Sequence, residues 1–364
     1  PALPAYDWAA FTTGTAGSYT PAVTMPTGVA YTATGLPTWA TLDPATGTIS
    51  GTPSTAAGTI QTVALRATDP STGASVSGQV NLVVAAPGSD LRIFALSARA
   101  PVLTGDNYLI PALAVGGSTT QTYMIRATGP SLPTEQIPDF LADPQMRLMA
   151  MSPGGNTTVA TNDDWETGND PATMKATFAA LGMGAFTEGS KDAALLAQLR
   201  PGNYSALIFG KNNTTGVGLM EMYDAGGSAN PGHLRAISCR AVVGTGSQVL
   251  IPGLAMVGGG ARRVILRVAG PALASSGLGG VLLADPRLTV YSGATVIAAN
   301  DDWATGNEAA AIAAATASVG LGAFAPGSKD AALLATLVAG NYTFVVSGKN
   351  GATGVVVFEL YLLD

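Results

Sequence analysis

TNDDWETGND, running from Thr161, returns as ANDDWATGNE from Ala299. Later stretches return as well. GSKDAALLAQL from Gly189 reappears as GSKDAALLATL from Gly327, and PGNYSALIFGKNNTTGVGLMEMYD from Pro201 as AGNYTFVVSGKNGATGVVVFELYL from Ala339. Asp163 maps onto Asp301, Asp192 onto Asp330, Tyr204 onto Tyr342 and Glu221 onto Glu359, each 138 residues on. One constant step over so many positions means a single folding unit copied in tandem. Upstream, LIPALAVGG from Leu109 matches LIPGLAMVGG from Leu250, and IRATGPSL from Ile125 matches LRVAGPAL from Leu266. The step there is 141 to 143 residues, so short loop insertions separate the copies.

Each repeat reads as alternating strand segments, one helix-like insert, then two strong strands. The inserts are NDPATMKATFAALGMGAF from Asn169 and NEAAAIAAATASVGLGAF from Asn307. Asn169 and Asn307 are placed as N-caps, an acidic residue follows each, and Gly182 or Gly320 ends the helix. Met174, Phe178 and Leu181 share one face in the first copy, as Ile312 and Val319 do in the second, which predicts that each helix docks on its own sandwich.

Residues 1–87 form a different unit, in which Thr-, Val- and Tyr-rich segments alternate with turn signals at the spacing of a β-sandwich. Its centre is YTATGLPTWATLDPATGTISGTP, from Tyr31 to Pro53, where Leu36, Trp39 and Leu42 are the expected core anchors. Val63 to Val84 reads as a hairpin, and AAPGSD from Ala85 as a short linker. The expected fold is therefore all-β, in three tandem β-sandwich domains. They are an Ig/cadherin-like sandwich over 1–87, then two jelly-roll-like sandwiches over 88–226 and 227–364, each with one short helical insert.

On GLPTWATLDPATGTISGTP and the LRATD run at Leu65–Asp69, the first unit resembles the immunoglobulin-like and dystroglycan-type cadherin-like modules of bacterial surface proteins. That resemblance implies a seven-stranded sandwich used as a spacer or adhesive module. It also makes Asp69 a calcium candidate, although Asp before Pro equally starts a turn. Over residues 91–364 the repeats look like a domain of large secreted proteins of Verrucomicrobia, and are distantly similar to bacterial pre-peptidase C-terminal domains. The shared pattern is LTVYSGATVIAANDD from Leu288, a leucine-rich strand, then a Gly-x-Tyr strand. It implies an accessory sandwich with no established activity.

Composition narrows the function. Only 11% of the 364 residues are charged while 47% are apolar, against about 25% charged in an ordinary soluble domain. Such a neutral surface suits an extracellular β protein or a subunit covered by its neighbours. A net charge of −6 with no Lys/Arg cluster in sequence excludes phosphate-backbone binding, so no nucleic acid is expected. No apolar run reaches the roughly 18 residues of a membrane helix. Cys239 is alone, which leaves no intrachain disulfide, and it reads as a small core residue. A start at Pro1-Ala2 directly before strand-like sequence would suit a form trimmed after export, to the cell surface or the medium.

The candidate chemistry sits in the repeated turns. Asn162, Asp163, Asp164 and Asp192, with Asn300, Asp301, Asp302 and Asp330, supply the hard oxygen donors that calcium requires, although not at the spacing of an EF-hand loop. The competing reading is that Asn and Asp close turns through local hydrogen bonds and that Lys191-Asp192 is a surface pair. Trp165 and Trp303 read as core lids. Arg126 and Arg267 are expected to pair with Asp143 or Asp285, or with Glu221 or Glu359. The one histidine, His233, lies in a Gly/Pro linker, a poor platform for a catalytic triad. Gly258–Gly260 precedes a strand, which argues against a phosphate cradle. No enzyme is expected. The sequence points to a structural or adhesive protein that self-associates into a surface filament or layer, by strand exchange at Pro1–Val23 or at GVVVFELYLLD. The alternative is a polysaccharide-binding or spacer appendage of a larger secreted enzyme, which would show an exposed aromatic row.

Overall fold

The computed structural model describes residues 2–363 apart from Thr24, Thr134, 228–232, 278–280 and 306–307. The first module contains β1 (Asp7–Thr12), β2 (Gly17–Tyr19), β3 (Ala30–Thr34), β4 (Ala40–Leu42), β5 (Ile49–Gly51), β6 (Ile60–Thr68) and β7 (Ser75–Ala85). They form a β1-β7-β6-β3 sheet facing a β2-β5-β4 sheet, with β1 parallel to β7. Alternation puts Phe11, Val63, Leu65, Val80 and Leu82 inside, and Ile49 closes the core from the second sheet. Trp39 packs edge-on to Phe11 at 5.1 Å but is only partly buried, as are Leu36 and Leu42, so these three line the margin of the core.

The first repeat supplies β8 (Arg92–Val102), β9 (Ile110–Val115), β10 (Gln121–Thr128), β11 (Pro144–Met151), β12 (Thr157–Asn162), α1 (Pro171–Ala180), β13 (Ala193–Leu199), β14 (Gly202–Gly210) and β15 (Gly216–Asp224). The second supplies β16 (Leu234–Val243), β17 (Ile251–Val257), β18 (Arg262–Ala269), β19 (Pro286–Ser292), β20 (Thr295–Asn300), α2 (Ala309–Ser318), β21 (Ala331–Leu337), β22 (Gly340–Gly348) and β23 (Gly354–Leu362). The all-β sandwich architecture expected from the sequence is the one observed. Three strands follow each helix where two were expected. Asn212 and Asn213, and Asn350 in the second copy, take positive φ and break the long final run in two.

The two repeats are joined through their strands. β8 pairs with β15 of its own repeat on one side and with β17 of the other repeat on its other side. Reciprocally, β16 pairs with β23 of its own repeat and with β9 of the first. Two sheets therefore run through both repeats, in the orders β13-β10-β15-β8-β17-β22-β19-β20 and β12-β11-β14-β9-β16-β23-β18-β21. They meet where Ile93 pairs with Leu234, and one apolar core lies between them, with Leu96, Leu113, Ile125, Cys239 and Phe358 all in it. Burial pushes the Cys239 thiol far above its ordinary range, so it stays protonated.

The helices dock as their apolar faces require. Met174 and Phe178 pack with Trp165, Met124 and Phe186, while Ile312 packs with Trp303 and Phe324. Asp170, not Asn169, caps α1, its carboxylate accepting from the Ala172 and Thr173 amides. Asn169 instead donates to the Trp165 and Ala194 carbonyls at 2.8 and 3.1 Å. Asn307 lies outside the described residues.

The first module rests on the second repeat. Val83 and Ala85 pack against Val338, and Asn81, fully buried, donates to the Ile297 carbonyl at 2.8 Å. The linker lies so close to the β17–β18 turn that a Cβ on Gly259 would stand 2.1 Å from the Pro87 carbonyl oxygen. The Gly258–Gly260 run thus lets two backbones approach. Glu308, where α2 begins, is pushed up to about 7 by burial and by the nearby Asp7 carboxylate of β1.

Two outcomes are expected. Val338→Arg places in the second repeat the residue that the first carries at Arg200, and burying that charge should destabilise the docked module by roughly 2–4 kcal/mol. Limited proteolysis would then cut the 86–90 linker faster. The folded chain holds the Glu308 proton to about pH 7, whereas an unfolded chain releases it near its ordinary 4.5. Stability should therefore fall as pH rises from about 4.5 to about 7 and then level off. Glu308→Gln should remove that slope in denaturant titrations at several pH values.

Candidate functional site

The repeated turns lie at one end of each sandwich, where β12 and β20 hand over to the helical inserts and β13 and β21 return. Asn162 accepts from the Ala194 amide at 2.9 Å and donates to the Asp164 and Thr167 carbonyls. Asn300 makes the matching bonds to Ala332 and Asp302. Each asparagine thus ties a turn to the strand beside it. Trp165 and Trp303 drop into the core just beyond, donating their indole N–H groups to the Thr187 and Ala325 carbonyls.

Asp192 and Asp330 are fully buried. Asp192 accepts from the Gly129 and Ser131 amides and from the Ser131 and Ser190 hydroxyls. Asp330 accepts from the Gly270 and Ala272 amides and from the Ser328 hydroxyl. A buried carboxylate is tolerable only when its charge meets several donors, and here it clamps the Gly-Pro turn after β10 or β18. Lys191 and Asp192 are not a pair. Lys191 reaches Asp164 at 3.1 Å instead, as Lys329 reaches Asp302 at 2.9 Å.

The remaining carboxylates meet a second lysine. Lys211 lies 3.0 Å from Asp163 and 4.0 Å from Asp143, and Lys349 lies 2.9 Å from Asp301 and 3.9 Å from Asp285. The Lys211 hydrogen bond holds Asp163 below the usual carboxylate range, while burial raises Asp143. Sequence reasoning offered Asp143 and Asp285 to the arginines and passed over Lys211 and Lys349. The signal was present, because Gly-Lys-Asn recurs at Gly210 and Gly348 with the same step.

Most of the oxygens offered for calcium are already engaged within the protein, although Asp164 Oδ1 and Asp302 Oδ1 are buried with no hydrogen-bond partner among the described residues. Both oxygens of Asp192 and of Asp330, and the amide oxygens of Asn162 and Asn300, already accept from protein donors, and an ammonium group stands beside each remaining carboxylate. Among the described residues no group of three or more His, Cys, Asp or Glu is arranged to hold a metal ion. Asp69 likewise spends its oxygens on the Ser71 amide and the Ser71 and Thr72 hydroxyls.

Arg126 and Arg267 take the glutamates. Arg126 bonds Glu221 at 2.5 Å and stacks over Phe186 at 4.4 Å; Arg267 lies 3.3 Å from Glu359 and 4.2 Å from the Phe324 ring. Burial raises Glu359 even with that arginine beside it. His233 is exposed, and its carbonyl accepts from the Gly116 amide. An aromatic pair that the sequence did not single out, Tyr108 and Phe209, lies 5.5 Å apart; Phe209 lines a hollow with Asp163, and Arg147 sits over its ring at 5.6 Å.

Such an arrangement defines a class, an all-β chain of sandwiches whose repeated polar residues hold its turns. The family described as Putative Ig domain matches residues 6–85, the first module. Among solved structures, the human Desmocollin-1 ectodomain is similar at 12% identity and a TM-score of 0.20, over 60% of this chain and 35% of that one. An I-band fragment from titin is similar at 10% identity and a TM-score of 0.18, over 97% and 95%. The chain spans about a third of the length of the desmocollin ectodomain. No curated protein matches it. No helix among the described residues is long and apolar enough to cross a membrane.

Asp330→Ala would leave the buried Gly270 amide, the Ala272 amide and the Ser328 hydroxyl without their acceptor and should cost about 2–4 kcal/mol. Lys349→Ala, at the half-exposed partner pair, should leave the melting temperature nearly unchanged. Thermal melts with added calcium and with chelator should superimpose.

Proposed function

We propose that this chain is a non-enzymatic, extracellular structural protein whose copies add to one another head to tail in a surface filament or layer. The observation that carries the proposal is a difference between the two copies of one edge. In the second repeat, edge strand β20 is covered by the Ig-like module: Ile297 is 2% exposed and its carbonyl accepts from Asn81. In the first repeat the same strand, β12, pairs only with β11 among the described residues, and Val159, which corresponds to Ile297, is 45% exposed. An uncovered edge with an apolar side chain beside it is a template for another chain. Joined to a different surface on the next copy, it gives a heterologous contact that extends without closing.

The Ig-like module supports a structural role, as does the commitment of the repeated turns' carboxylates to internal partners. The proposed route is narrower than the sequence suggested. GVVVFELYLLD forms β23, which is paired on both sides by β16 and β18 and offers no edge to donate. Asp364, its final residue, lies outside the described residues.

Electron microscopy and sedimentation of the purified chain test this reading. Ordered polymers are expected at high protein concentration. Val159→Lys should abolish them while leaving the melting temperature within a few degrees, because the side chain is exposed. A chain that stays monomeric at all concentrations, or a Val159→Lys variant that polymerises normally, would overturn the proposal.

A further inference from the structure

A groove runs along the junction of the two repeats, between the C-terminal end of α2 and the start of β16. Both repeats build it, Leu91, Arg92 and Ala114 coming from the first and Arg235, Arg262 and Tyr361 from the second. It continues across Ala114, Ala236 and Tyr361 to Ser238 and Asn203, so its form is a long trough. Its charge opposes that of the molecule. The chain carries −6 overall, yet three arginines line this trough and a fourth, Arg263, lines the hollow that adjoins it at Ser318 and Leu362.

Two of those arginines lack a charge partner among the described residues, although the stem of Arg235 lies over Gly116. Arg92 lies 3.7 Å from Asp224, but Arg235 and Arg262 make no ion pair or side-chain hydrogen bond among the described residues. Copying accounts for Arg235, whose counterpart in the first repeat is Arg92, but not for Arg262. In the first repeat, Gln121 stands where the second has Arg262, and Asp90 where it has His233. The register confirms the first correspondence, since Gln121 pairs with Leu199 and Arg262 with Leu337. Folding of this unit therefore does not need a cation there, whereas the trough of the second repeat has one.

We propose that this junction trough binds an acidic polysaccharide chain, with Arg235 and Arg262 taking carboxylate groups of successive uronic acid residues. Guanidinium groups pair with carboxylates in a planar, two-bonded way. Tyr361 gives one wall an aromatic ring suited to a sugar face, its hydroxyl donating to Glu359. Ala114, Ala236 and Ser318 lie in the trough beside Leu234, Val319 and Leu362, so its floor is broad and partly apolar. This site is separate from the β12 edge and does not rest on self-assembly.

Affinity gel electrophoresis and calorimetry with polygalacturonate, dextran and poly-glutamate test the proposal. Polygalacturonate should bind, dextran should not, and binding should weaken at least tenfold between about 50 and 300 mM salt, as charge pairing across exposed groups requires. Arg235→Ala with Arg262→Ala should lower affinity at least tenfold without changing the melting temperature. Arg66→Ala, on the far Ig-like module, should have no effect, and Val159→Lys should bind normally. Absence of polygalacturonate binding would overturn the assignment. So would equal binding of poly-glutamate, which would mark an unspecific anion patch, or an undiminished double variant.

Discussion

Unpaired strand edges are the constraint on which this structure depends. A sandwich module leaves a row of unused N–H and C=O groups at each sheet boundary, and water or another strand must satisfy them. Here the first strand of each repeat is shared: β8 runs between β15 and β17, and β16 between β23 and β9. Each repeat thus completes a sheet of the other, and the exposed edges that two separate sandwiches would carry at this boundary vanish. The cost of such an arrangement is loss of independence. Neither repeat can move as a bead on a string without breaking two ladders.

Charge is treated with the same economy. With so few ionisable groups, nearly every carboxylate in the repeats has an assigned cation or a set of amide donors. Asp192 and Asp330 face backbone and hydroxyl groups, Glu221 and Glu359 face arginines, and the turn aspartates face lysines. Reuse of the same contacts in both copies is what a structural role demands.

Where the copies do depart, the differences lie at surfaces. The second repeat has Val338 and Ile297 under the Ig-like module, while the first has Arg200 and an exposed Val159. Arg262 and His233 replace Gln121 and Asp90 at the junction. The scaffold is therefore common to both copies, and the copies differ at a few positions where each meets its surroundings. That division is physically natural, because core residues answer to packing density while exposed ones are free to follow whatever they touch.

Much of this was legible in the residues alone. The constant step of 138 residues, the strand alternation, the apolar helix faces of Met174 and Ile312, and the burial of Trp165 all come from local pattern, since period and turn chemistry act over a few residues. The donors around Asp192 were not legible, because Gly129 and Ser131 stand about sixty positions away and reach it only through the fold. Nor was the pairing of β8 with β17, where a strand with two equivalent partners in the sequence has to choose one. Repetition makes those partners alike in pattern, so their side chains cannot decide between them. The choice belongs to the tertiary structure, which alone fixes which edge is close enough to close the ladder and which, like β12, is left open.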